Sequence, residues 1–135
     1  MTTSALLYAP VDYWALTPAA KAEICNGCGA SGGRRFPGHI WWLDITEACN
    51  IHDYMYHLGL TEQDREEADK AFLNNLLRII EKDSVDFAII KTLRRWRAMT
   101  YYGAVRDFGG PAFWDNKNKP GEMQNPSQVL VPAVA

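Results

Sequence analysis

Apolar residues return every three or four positions along the middle of the chain, and the breaks between these runs are short. Ile45, Ala48, Cys49, His52, Met55 and Tyr56 share one face of a predicted helix. Asp44 and Glu47 stand three apart at its start, the spacing of a capping box. Gly59 fits the position just past its end. Thr61 and Asp64 give a second capping signature. They open a helix to about Lys82 whose inward stripe is Ala68, Asp69, Phe72, Leu73, Leu76 and Ile80. Ser84 is positioned to cap a third helix reaching about Asp107, where Gly109-Gly110-Pro111 stops it. Upstream, Thr17-Pro18 reads as an N-cap and first-turn proline of a short helix to about Ile24. A glycine-rich loop follows from Asn26 to Gly33, and Arg34 to Gly38 continues it. The expected fold class is mainly α, with two long antiparallel helices, a third long helix and a glycine-rich loop. One domain is expected over 1–135, with its core at about 17–114 and an irregular tail over 115–135.

Two polar residues interrupt the apolar stripes. His52 lies in the first and Asp69 in the second, and a buried carboxylate is costly unless it is paired. The link between the helices is about Gly59-Leu60, so they should pack as a hairpin. His52 lies seven residues before Gly59, roughly 10 Å along the axis, and Asp69 eight after Thr61, roughly 12 Å. Both are therefore at similar depth, point inward and can meet. A carboxylate on one ring nitrogen fixes the tautomer, and the other nitrogen can then take a proton from water. A satisfied His-Asp pair in the core, without catalysis, fits the same spacing. Asp53 lies about 100° around the helix from His52. A hard carboxylate near a glycine-rich loop suits calcium, which takes many backbone carbonyls; a solvated helix aspartate and a plain turn are the bland alternatives.

Composition narrows the classes. The chain has 135 residues, 47% of them hydrophobic, and a formal net charge of −2, so nothing pulls it as a whole toward nucleic acid. No apolar run is long enough to span a bilayer. A signal peptide of the usual form is not expected. Cys25, Cys28 and Cys49 allow at most one internal disulfide. Cys25-x-x-Cys28 also admits a zinc or redox reading, but a structural zinc needs four ligands and no second pair follows.

Cys49-Asn50-Ile51-His52-Asp53-Tyr54-Met55-Tyr56 resembles the phospholipase A2 signature, in which Cys-x-x-His-Asp is followed two residues later by a Cys-Tyr or x-Tyr pair. Asn26-Gly27-Cys28-Gly29 resembles the calcium loop of group XII secreted enzymes. Asp69-Lys70-Ala71-Phe72 resembles the Asp-x-x-Phe of the family's second long helix. Tyr101-Tyr102-Gly103-Ala104-Val105-Arg106 resembles the end of the last helix in prokaryotic members. The resemblance covers roughly residues 24 to 110. It implies calcium-dependent hydrolysis of the sn-2 ester of glycerophospholipids. His52 would be the general base, Asp69 would orient it, and Tyr56 would hydrogen-bond Asp69, with Tyr101 or Tyr102 as a second such donor. Asp53 and the carbonyls of Gly27, Gly29 and Ser31 would bind Ca2+, and the Gly29 N–H would help stabilise the oxyanion. A Cys28–Cys49 disulfide, a monomer, a peripheral phospholipid membrane surface as partner and action outside the producing cell are further implications. Most disulfides of the animal enzymes and the β-hairpin between their two long helices are missing, and Arg34 to Leu43 is longer than the usual spacing.

Two surface features bear on a lipid partner. Trp41-Trp42, beside Phe36 and Ile40, is either an interfacial patch or core. Lys91, Arg94, Arg95 and Arg97 cluster around Trp96 and fit either anionic headgroups or a solvated helix face. Two other functions remain open. One is a phospholipase-like lipid- or protein-binding module without turnover. The other is a metal-dependent phosphohydrolase with His39, His52, Asp53 and a later aspartate as ligands.

Overall fold

The structure, a computed structural model, describes residues 7–28, 37–83, 87–115 and 117. The described residues are mainly α-helical. In chain order they form a 3-10 turn (Val11–Tyr13), α1 (Pro18–Ile24), β1 (His39–Ile40), β2 (Leu43–Asp44), α2 (Thr46–Leu58), α3 (Glu62–Lys82), α4 (Ala88–Phe108) and α5 (Gly110–Trp114). The long helices α3 and α4 pack antiparallel, and α2 packs on α3. Ile45, Ala48 and Ile51 meet Phe72, Leu76 and Ile80 of α3 and Ala98, Tyr101 and Val105 of α4 in one buried cluster. Among the described residues no helix is long and apolar enough to cross a membrane.

The helix boundaries follow local chemistry in two places and depart from it in two others. Thr17 caps α1 by accepting from Ala20 N, with proline in the first turn. Thr61 and Asp64 form the full reciprocal capping box of α3. The predicted box of α2 does not form. Its N-cap is Ile45 with no side-chain cap bond, while Asp44 Oδ1 accepts from Thr46 N at 2.9 Å. Glu47 is drawn away instead, taking the Tyr13 hydroxyl and Lys21 Nζ (3.1 Å). A charged bond across the packed surface outcompetes a cap at the helix end. The cap of α4 is Phe87, without a side-chain bond; Ser84 lies outside the described residues, as do Gly29, Ser31 and most of the tail.

Gly59 ends α2 with ordinary extended dihedrals (φ −65°, ψ 147°), so conformational freedom is not why it is glycine. Space is the reason: a Cβ there would lie 2.5 Å from the Phe113 ring. Gly109 ends α4 as predicted, but the chain turns at once into α5, which delivers the fully buried Phe113 to that spot.

Between the expected loop, which ends at Gly38, and α2 lies an antiparallel hairpin for which the sequence gives no expectation, with His39 opposite Asp44 and Ile40 opposite Leu43. Its two turn residues are Trp41 (φ 45°) and Trp42 (φ 67°), both left-handed. Such a turn normally takes Asn-Gly, and each bulky residue there costs on the order of 1–2 kcal/mol. Arg94 supplies a compensating hold. It is 4% exposed, donates to Trp41 O from Nε (3.2 Å) and Nη2 (2.7 Å), and pairs with Asp83 at 2.8 Å. Arg94 therefore leaves the expected basic surface cluster. The two tryptophans are not core, being 38% and 81% exposed.

Two glycine substitutions should move stability in opposite directions. Gly59→Ala must displace a buried ring and should cost roughly 1–3 kcal/mol of unfolding free energy. Gly103 sits inside α4 with no atom within 4 Å of an added Cβ. Gly103→Ala should therefore gain about 0.5–1 kcal/mol. Denaturant melts of both variants decide it, and equal effects would contradict the packing described.

Candidate active site

α2 and α3 face each other with one histidine and one carboxylate between them. Asp69 is 2% exposed and His52 is 8% exposed. His52 Nε2 lies 2.8 Å from Asp69 Oδ1. Tyr56, one turn further along α2, donates its hydroxyl to the same oxygen at 2.7 Å. A carboxylate accepts, so Nε2 carries the proton and Nδ1 the lone pair. The imidazole stands between the Tyr56 ring at 4.1 Å and the Phe72 ring at 4.9 Å, which fix its plane. Burial and the Asp69 charge push the Tyr56 hydroxyl well above the usual phenol range, so it stays a neutral donor. His52 and Asp69 thus meet at the depth the helix rise allows, and Tyr56 makes the bond to Asp69 that the resemblance implies. Tyr101 is buried in the core and Tyr102 lies half-buried with Arg106 5.5 Å from its ring; the described donors to Asp69 are His52 and Tyr56.

Asp53 leaves the helix on another side, toward the glycine turn. Its Oδ2 accepts from Asn26 N at 3.0 Å. Gly27 has φ +70°, a left-handed position suited to glycine, and its N–H donates to Asn50 Oδ1 at 3.0 Å. A Cys28–Cys49 disulfide, with Cα atoms 4.9 Å apart, ties the same turn to α2. Asn50 was not singled out in the sequence, although it lies three residues before Asp53 and so on nearly the same helix face. Cys25 is buried and free, its Sγ 3.3 Å from Asn50 O.

Asp53 is half-buried, and among the described residues no ion pair reaches it. Desolvation raises its pKa to about 7, opposed only by the Asn26 N–H. A carboxylate held this way favours a cation beside it. Among the described residues no three His, Cys, Asp or Glu side chains converge to hold a metal. A zinc or manganese centre on His39, His52 and Asp53 therefore finds no support; His39 is exposed on β1 and His52 is engaged by Asp69. A metal at Asp53 would have to take most ligands from backbone carbonyls, which is the habit of calcium. Gly27 is next to Asp53's partner Asn26, while Gly29 and Ser31 lie outside the described residues.

No protein-family model, curated protein or solved structure matches this chain.

The raised pKa of Asp53 fixes a sign. Its charged form is disfavoured in the fold, so metal-free stability falls as pH rises from about 4, the unfolded value, to about 7. Asp53→Asn keeps the acceptor for Asn26 and removes that penalty. In chelator the variant should be more stable than the parent at pH 8, on the order of 2 kcal/mol, and nearly equal at pH 3. Thermal melts across that range test this, and a variant less stable at pH 8 would contradict it.

Proposed function

We propose that this protein hydrolyses the sn-2 acyl ester of glycerophospholipids in a calcium-dependent reaction. The observation that carries the reading is Asp69, buried between α2 and α3, accepting from both His52 Nε2 and Tyr56 Oη. The resemblance of the Cys49–Tyr56 segment to the phospholipase A2 signature points the same way. With Nε2–H committed to Asp69, His52 Nδ1 takes a proton from water as the water oxygen attacks the ester carbonyl carbon. Asp69 stabilises the imidazolium so formed, and Tyr56 holds Asp69 in place. The imidazolium then returns the proton to the departing glycerol oxygen as the ester C–O bond breaks, leaving a fatty acid and a lysophospholipid. Asp53, with the carbonyls of Gly27, Gly29 and Ser31, would hold Ca2+, which when bound supplies polarisation of the ester carbonyl and stabilisation of the oxyanion. The Gly29 N–H is assigned to the same oxyanion. The disulfide suits an oxidising compartment, and we place the reaction outside the producing cell.

A variant series on phospholipid vesicles tests the assignments. His52→Gln should lower the calcium-dependent rate by roughly 10²–10⁴-fold with an unchanged melting temperature. Tyr56→Phe should lower it by about tenfold, since Asp69 keeps one donor. Calcium should raise the melting temperature of the parent and not of Asp53→Asn. Undiminished turnover in His52→Gln would remove the histidine from the mechanism.

A further inference from the structure

The inner face of α4 is fully used by the core, through Ala98, Tyr101 and Val105, and by the buried Arg94. Its outer face is not polar, as the surface side of an amphipathic helix normally is. At roughly 100° per residue, Ile89, Thr92, Trp96, Met99 and Gly103 form one continuous stripe. Ile89 is 69% exposed, Trp96 68% and Met99 51%. The two threonines on this side turn their hydroxyls back onto the helix, Thr92 to Ala88 O at 2.9 Å and Thr100 to Trp96 O at 3.0 Å. Their methyl groups therefore complete the apolar strip.

Charge borders the strip on both sides. Arg95 and Arg106 flank one edge and Arg97 the other. Between residues 78 and 107 the chain carries seven Lys or Arg, of which Arg94 is buried, against four Asp or Glu, within a net charge of −2 for the whole. Among the described residues the acids facing this surface are Glu81, which binds Arg95 and lies near Lys91, and Asp107 at the far end.

We propose that the outer face of α4 is a docking surface for an anionic lipid bilayer. Tryptophan favours the boundary between headgroup and acyl chain, and arginines flanking an apolar strip can lay their stems along it while reaching lipid phosphates. A second copy of this chain fits less well, because pairing this face with itself brings the two arginine borders together. The inference concerns a different face from His52 and holds for a catalytic and a non-catalytic chain alike.

Vesicle co-sedimentation of the His52→Gln chain in chelator tests it with hydrolysis switched off. Vesicles of phosphatidylcholine mixed with phosphatidylglycerol should bind the protein, and vesicles of phosphatidylcholine alone should bind it far less. Added salt should weaken the binding. Trp96→Ser and Arg97→Glu should each reduce it by at least about fivefold, with melting curves unchanged. If Trp96→Ser fails to fold, Ile89→Ser with Met99→Ser carries the same test. Trp96→Ser on the parent should leave hydrolysis of a dispersed short-chain phospholipid intact, which separates this surface from the proposed chemistry. Equal affinity for both vesicle types, or full binding by the variants, overturns the proposal. So does a concentration-dependent dimer that Trp96→Ser dissolves, or capture of an acidic protein without vesicle binding.

Discussion

A carboxylate sealed between two helices has to be satisfied from within, and Asp69 is satisfied by α2. Both donors, His52 Nε2 and Tyr56 Oη, come from one face of that helix, a turn apart, and converge on a single oxygen. This fixes the rotation and register of α2 against α3. It also fixes the imidazole tautomer, because the proton must sit on the nitrogen facing the charge. Phe72, one turn beyond Asp69, then closes over the ring. Losing either donor leaves a buried charge under-solvated, so fold and chemistry share one constraint.

Asp53 shows the opposite treatment of the same functional group one residue from His52. Asp69 is held by two side-chain donors, whereas Asp53 has one backbone N–H and no described ion pair. Carboxylates in such different surroundings take different roles. In the proposed reaction the first would partner the imidazolium, and the second would take a cation from outside. Asn50 and the Cys28–Cys49 bridge hold the glycine turn beside Asp53, so about two turns of α2, from Cys49 to Tyr56, organise both halves of the candidate site.

How much of this was legible depended on how local its cause was. The Thr61 cap, the inward stripes and the meeting of His52 with Asp69 follow from periodicity and helix rise, which act over a few residues. The α2 cap was misread because its Glu47 answers to Lys21, 26 positions away. The hairpin was missed for the same reason. Trp41-Trp42 carries none of the local signals of a tight turn, and the guanidinium that secures it arrives from 53 residues downstream. Gly59 was identified as a helix end for a conformational reason, whereas the operative one is the Phe113 ring brought by α5. The carbonyls of Gly29 and Ser31 belong to residues outside those described, and their assignment rests on resemblance alone.

The most direct test of the account is positional. A phospholipid carrying different acyl chains at sn-1 and sn-2 would be incubated with the protein, and the released fatty acids identified with calcium and with excess chelator. The account predicts release of the sn-2 chain alone, and only with calcium. Release of the sn-1 chain, or equal release in chelator, would contradict it.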